Sequence, residues 1–306
     1  MRVKAGSGQL RLAGSARTKR GTGATALHAL RRSPQALASC LVLVLVVACA
    51  LFAPLIAPKS PTDQTLLARL SPPSLTAPTG SGYLLGTDRL GRDVLSRIIY
   101  GARISVFVAV VGVAISATIG VALGLIAGFV GGIVSTLIMR LTDIVLSIPF
   151  LLLAIAVVAV LGPSLLNLVL VLGFTRWIRY TRVTFAQTLS LKEAEFVQAS
   201  RATGARGVRL LLRHIFPNTL APVIVVATLE LGLMIIFEAA LSFLGLGVQP
   251  PTPSWGSMLA EGRNYVATAW WLAVFPGLAI MVTVLAINVL GDWARDVLDP
   301  RMQTNL

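Results

Sequence analysis

The chain has 306 residues, 56% of them hydrophobic and 12% charged, with a formal net charge of +14. A soluble domain of average make-up carries about twice that share of charged residues, so composition excludes a soluble globular protein and describes a polytopic membrane protein. The two cysteines, Cys40 and Cys49, fall nine positions apart in one apolar run. That spacing puts them on nearly opposite faces of a helix, as packing residues rather than a disulfide.

Residues 1–35 hold eight Lys or Arg, from Arg2 to Arg32, and no acid. No core-forming pattern accompanies them, and a disordered cytoplasmic tail is expected. The uncharged run 36–57 is long enough to cross about 30 Å of hydrocarbon. It follows too long a basic region for a cleaved signal peptide and reads as an uncleaved anchor. With it, an irregular Pro-, Ser- and Thr-rich loop over 58–82 and an interfacial helix within 84–105 make up a first unit ending at 103. In that helix Asp88/Arg92 and Asp93/Arg97 are spaced as i,i+4 pairs, and Leu90, Val94 and Ile98 mark an apolar stripe.

Five more spans are expected in a core over 104–292, at about 104–129, 144–161, 165–186, 220–244 and 270–291, before a short end over 293–306. Gly120, Gly124 and Gly128 repeat at four, a small-residue face for close helix packing. Arg140 and Asp143 are spaced to pair ahead of the third span. Arg176, Arg179 and Arg182 are expected to snorkel from the last turns of the fourth. Glu230 and Glu238 fall within the fifth, where an ionisable group has to be paired, protonated or wet. Both are candidates for a translocation path, and a carboxyl hydrogen-bonded to a neighbouring helix is the plainer alternative. Pro276 is expected to kink the sixth.

One long polar stretch, 187–219, interrupts the apolar pattern in the second half. Its segment EFVQASRATGARGVRLLLRHIFPN, 195–218, fits two short helices. Phe196, Ala199, Ser200 and Thr203 share a face of the first, and Gly204 breaks it. Val208, Leu211, Leu212 and Ile215 stripe the second, opposite Arg206, Arg209 and Arg213, and Pro217 is expected to close it. An amphipathic helix held to lipid headgroups is one reading; a docking element gripped by a partner is the sharper one. Six spans place both termini on one side. With that side inside, 19 of the 26 Lys and Arg lie in inside segments and 7 outside. The asymmetry orients the chain with both ends cytoplasmic and accounts for the basic charge without nucleic acid.

Gln198-Ala199-Ser200, followed by Gly204 and Pro217, resembles the EAA loop of ABC importer permeases. Gln198 stands where that loop has Glu, Ser200 where it has its second Ala, and Phe216 where it has Leu; the Gly-to-Pro spacing is kept. GTDRLGRDVLSR, ahead of the second span, resembles C-type subunits of dipeptide, oligopeptide and nickel permeases. EAALSFLGLG at 238–247 resembles a family segment beside the translocation path, and Asp299-Pro300-Arg301 the family's usual close. The resemblance implies an all-α fold with six transmembrane helices and a cytoplasmic coupling loop, the type I ABC importer permease. It implies coupling residues Glu195, Gln198, Ala199, Ser200, Gly204, Arg206, Arg209, Arg213 and Pro217. The implied partners are a second, related permease in a heterodimer, two cytoplasmic ATPase subunits and an extracytoplasmic substrate-binding protein, all in contact with or beside membrane lipid. The implied cargo is a di- or oligopeptide, with nickel, glutathione or another small solute as alternatives.

Catalytic signatures are missing. No GxxxxGK motif followed by Ser or Thr occurs, and none of Lys4, Lys19, Lys59 and Lys192 follows such a loop; the chain is not expected to bind ATP by that route or to hold a cofactor, and the resemblance implies that ATP and Mg sit on the partner ATPases. There is no HExxH and no Cys–His metal cluster. His28 lies in the tail, and His214 beside the arginine face reads as a solvated or docking residue. The chain reads as a transport subunit rather than an enzyme. The competing class is an ion-coupled secondary transporter using Glu230 and Glu238, for which inverted repeats would be expected; none is visible.

Overall fold

The computed structural model describes residues 33–74 and 82–298; the basic tail to residue 32, His28 and the Asp299-Pro300-Arg301 close lie outside them. The described residues form ten helices of eight residues or more and no extended sheet. Helix α1 is Pro34–Ile56, with Ser33 as its N-cap. Helix α2 is Val94–Val130, and α3 and α4 are Gly132–Leu146 and Phe150–Leu161. Helices α5 and α6 are Leu165–Thr175 and Trp177–Lys192, and α7 is Glu195–Ala202. Helix α8 is Gly207–Phe243, α9 is Trp255–Gly262 and α10 is Trp271–Leu298. Helices α1, α2, α8 and α10 are long and apolar enough to cross a membrane, and α3 with α4, bent by 85°, makes a fifth if taken as one broken span. The crossing expected as one helix over about 165–186 is two, α5 and α6, which meet at Arg176 and are individually too short.

Other sequence expectations change as well. The interfacial helix and the second span are one helix of 37 residues; it starts at Val94, because the Asp93 carboxylate accepts from the Ser96 amide at 2.8 Å and its hydroxyl at 2.6 Å. Asp93 is therefore a cap and not the partner of Arg97. The third span breaks over Ser147–Pro149, where the proline has no amide to donate and its ring excludes a continuing helix. Pro217 does not close the polar loop: the chain runs without interruption into the fifth span, and the turn before it, Leu211–Ile215, widens to a π-helix. A π-turn at this point relieves the clash that proline makes with the carbonyl four residues back.

The tightest packing is between α2 and α6, and the glycine repeat is its cause. A Cβ at Gly124 would stand 2.6 Å from the Thr181 carbonyl oxygen, one at Gly128 2.6 Å from Thr188 Cβ, and one at Gly120 would collide with the Trp177 carbonyl. Tyr180, Thr181, Thr184 and Thr188 of α6 are fully buried along this seam. Lys192 Nζ ends it by donating to the Phe129 carbonyl at 3.2 Å, a cation at the C-terminal turn of α2.

At the other end of α2 the loop over 84–93 is pinned by charge. Arg92 Nε donates to Asp88 at 2.6 Å, as its spacing implied, but Arg97 reaches Asp88 and also Glu261 of α9, at 2.8 and 3.0 Å. Arg92 joins the same carboxylate at 2.9 Å. Two arginines and two acids close into a neutral group that is almost wholly buried. Trp255 and Trp271 donate their indole N–H groups to the Ile98 and Thr87 carbonyls at 3.0 and 3.1 Å, tying α9 to the first turns of α2 and α10 to the loop before it.

Gly120→Val should remove most folded protein from the membrane fraction, because the backbones on either side cannot separate without opening the whole seam. Gly277→Ala, inside α10 with nothing within 4 Å of an added Cβ, should match or slightly exceed wild type, since alanine is the better helix former. Thermal midpoints of the two variants in detergent distinguish these outcomes; equal midpoints would remove the packing argument.

Candidate functional site

Two regions bring functional groups together: a charged site inside the bundle and the polar loop at one end of it. Inside the bundle, Glu230 of α8 has no exposed surface. Arg176, at the junction of α5 and α6, donates Nε and Nη2 to its two carboxylate oxygens at 3.0 and 2.9 Å. Arg179, one turn on, approaches Oε1 at 3.3 Å through Nε, with its side chain 57% exposed. With a rise of about 1.5 Å per residue, Arg176 stands about 24 Å along the helix from Lys192. Arg176 therefore turns inward rather than outward along the helix; a two-point bond to a buried carboxylate holds it there. Phe150 and Phe237, tilted against each other at 4.3 Å, add their ring faces to the Arg176 guanidinium at 5.5 and 5.1 Å.

The broken turn between α3 and α4 lies against the α5–α6 junction, and a cleft of about 210 Å³ opens between them. Leu146, Ile148, Phe150 and Leu153 line one side; Thr175, Arg176 and Arg179 line the other. Asp143 pairs not with Arg140 but with Arg182, at 2.6 Å on the half-exposed surface of α6.

Glu238 is also fully buried, two turns beyond Glu230. Its carboxyl accepts from Ser105 of α2 and Ser242 of α8, each at 2.9 Å. The arrangement is the plainer alternative, a carboxyl satisfied by a neighbouring helix, and it is separate from the cleft.

In the polar loop, Glu195 opens α7, and its first turn is the favourable end for an acid. Val197, Leu210 and Ile215 are buried beneath the loop on Leu125 of α2. That inner face differs from the one read from spacing. Val208 and Leu212, placed there by periodicity, are 68% and 55% exposed, and Phe196 is 46% exposed. Gln198 Nε2 donates back to the Lys192 carbonyl at 3.2 Å and to Glu193 at 3.3 Å. Ser200 Oγ faces His214 Nδ1 at 3.5 Å, joining the two loop helices. Ala199, Gly204, Arg206, Arg209, Arg213 and Pro217 all face outward. Gly204 has φ +96° and open space around it. No group of three or more His, Cys, Asp or Glu suited to a metal ion occurs among the described residues.

Sequence reading singled out Glu230 but missed its partner. Arg176 follows an apolar run by one residue after Thr175, and the signal was available: a cation there, far from the loop, needs an anion. Ser105 and Ser242, which satisfy Glu238, gave no signal, since serine is common in membrane helices. Glu230→Met should leave Arg176 buried without its anion, at a cost of about 3–5 kcal/mol. Arg176→Met should cost similarly, because the single long contact from Arg179 does not replace a two-point bond. The double variant should recover most of the loss, since an apolar pair of similar volume is often as stable as a buried ion pair. Thermal midpoints of the three proteins check this, and additive losses would show that the two residues do not act as a pair.

Comparison with known proteins bears on the whole chain. The family described as "Binding-protein-dependent transport system inner membrane component" matches residues 120–304, and "N-terminal TM domain of oligopeptide transport permease C" matches residues 22–73. The chain is 48% identical over 268 residues to the di/tripeptide transport system permease protein of Pseudomonas aeruginosa, covering 88% of each. It is 49% identical over 276 residues to the dipeptide transport system permease protein of Escherichia coli, covering 90% of this chain and 92% of that one. A putative peptide transport system permease protein of Brucella suis is 40% identical over 279 residues, 91% of this chain and 92% of its own. With its all-helical bundle, its membrane-length apolar helices and these matches, the chain belongs to the inner membrane component family of binding-protein-dependent transport systems, as a multi-pass permease subunit similar to dipeptide and oligopeptide transport permeases.

Proposed function

We propose that this permease is the pore-forming subunit of an ATP-driven importer of di- or oligopeptides, handed over by an extracytoplasmic binding protein. The observation that carries the reading is the outward face of the loop over 195–217. Phe196, Val208 and Leu212 stand exposed beside Arg206, Arg209 and Arg213, while the loop is anchored from beneath by Val197, Leu210 and Ile215. An anchored platform with exposed apolar groups and cations fits a protein partner that closes over it. The ATP-hydrolysing subunits are that partner, two of them serving this chain and a second, related permease. Both termini and the loop are cytoplasmic in this reading, in keeping with the basic asymmetry. The peptide names of the relatives support peptide cargo over nickel, glutathione or another solute.

Coupling follows from connectivity. Helix α6 leads from Arg176 into α7, and α8 runs unbroken from the loop through Glu230. The ion pair thus joins the two helices that frame the loop. When the ATPase dimer closes and displaces the loop, the two helices and the cleft wall move together, as a lever, and the loop's work reaches the pore through differential contact in the two states.

Gly204 tests the loop. Its positive φ costs a residue with a Cβ roughly 1–2 kcal/mol, and the space around it is open in the isolated chain. Gly204→Val should abolish co-purification of the ATPase subunits and substrate-stimulated hydrolysis while the chain still inserts. Gly204→Ala should show a clear but smaller loss, and Arg206→Glu or Arg213→Glu a smaller one still, as exposed ion pairs contribute less than about 1 kcal/mol each. Wild-type coupling in Gly204→Val would exclude the loop as the coupling element. The subunit purified alone should hydrolyse no ATP; stoichiometric hydrolysis by it would overturn the assignment.

A further inference from the structure

The cleft between the α3–α4 break and the α5–α6 junction carries an unbalanced charge. Two guanidinium groups, of Arg176 and Arg179, meet one carboxylate, that of Glu230. Arg176 spends two N–H groups on both oxygens of Glu230, and its side chain is 12% exposed. Arg179 makes one long approach and leaves more than half of its side chain open. Among the described residues Glu230 is the one acid within ion-pair distance of Arg179. A single cation with donors to spare, at the mouth of a cleft with one apolar and one polar wall, is suited to an anion attached to an apolar group. It repels a divalent metal cargo and a peptide's ammonium end alike.

We propose that this cleft receives the C-terminal residue of the peptide during translocation, Arg179 binding its carboxylate and Phe150, Leu153 and Ile178 its side chain. The proposal rests on the peptide-importer reading above and names a cargo subsite within it. A guanidinium matches a carboxylate in planar geometry. The volume, about 210 Å³, is on the scale of one residue rather than a whole oligopeptide, so one subsite serves peptides of different length. The broken turn at Ser147–Pro149 forms the wall of the cleft opposite Arg179. Glu230 and Arg176 form the fixed wall, and Arg179 is the member free to exchange partners.

The test uses the complete transporter with its binding protein in proteoliposomes, with alanyl-leucine and its C-terminal amide as probes, each at a concentration that saturates the binding protein. Uptake is normalised to assembled complex. Arg179→Gln should lower uptake of the free acid about tenfold, the loss of one charge-assisted bond, and leave uptake of the amide within about twofold of its wild-type value. Because Glu230 keeps both bonds from Arg176, the substitution orphans no buried charge. Arg179→Lys should restore part of the free-acid uptake. Arg182→Gln, one turn away and paired with Asp143 outside the cleft, should change neither probe. Equal uptake of the free acid by wild type and Arg179→Gln overturns the subsite, whether or not the amide is moved. Equal losses for both probes assign Arg179 to a step of transport common to all cargo, and a matching loss in Arg182→Gln assigns the effect to general positive potential; either result also overturns it. A wild-type complex that hydrolyses ATP but moves neither probe overturns the peptide reading itself and the subsite with it.

Discussion

A carboxylate with no solvent contact, well inside a bundle of apolar helices, has to be neutralised where it stands, and that requirement organises the centre of this molecule. Glu230 obtains its counter-charge from the junction of two short helices rather than from the middle of a long one. The junction lets Arg176 turn inward with both N–H groups aimed at the carboxylate, while Phe150 and Phe237 cover the guanidinium from two sides. Its position depends in turn on α6 lying flush against α2. Gly120, Gly124 and Gly128 permit that approach, and any side chain there would push the arginine away from its anion. The glycine seam and the ion pair are therefore one construction: the first sets the distance, the second exploits it.

The two ends of the bundle are held by different means. Around the start of α2, Asp88, Arg92, Arg97 and Glu261 are consumed by one another, and two tryptophans tie their indoles to backbone carbonyls. Those charges are internal fasteners with little left for a partner. Around the end of α2, by contrast, arginines stand outward beside exposed Phe196, Val208 and Leu212, and only a few apolar groups grip the bundle from beneath. An end that is closed on itself and an end that presents its groups suit a scaffold that transmits movement from one face to a cleft at its centre.

Much of this was legible in the sequence, and the failures have physical causes. The anchor helix, the glycine face and the loop with its Gly204 break followed from hydropathy and local periodicity, because each depends on neighbours within one or two turns. The all-helical membrane class and the permease family also followed, the latter from motif resemblance. Pairings between distant residues did not. Asp93 and Arg97 have ideal i,i+4 spacing, yet Asp93 caps its own helix and Arg97 reaches Glu261 more than 160 positions away. Arg176 looked like a cation near a helix end because the break at that residue is invisible to hydropathy. Pro217 looked like a terminator because proline usually is one; the π-turn before it lets the helix continue. The exposed Val208 and Leu212 show the limit of periodicity most plainly, since the spacing that marks a buried stripe also describes apolar groups left on the surface.

If Arg176 and Glu230 clamp the helices that frame the loop, then α6, α7 and α8 move as a single body. The direct measurement is the distance between spin labels at Arg201 in α7 and Leu229 beside the ion pair, in the complete complex with and without trapped ATP. A distance constant to within about 2 Å is expected, while labels between Arg201 and α1 should move apart or together. A change of roughly 5 Å, one turn of helix, between Arg201 and Leu229 would contradict the lever and separate the loop from the site it is held to drive.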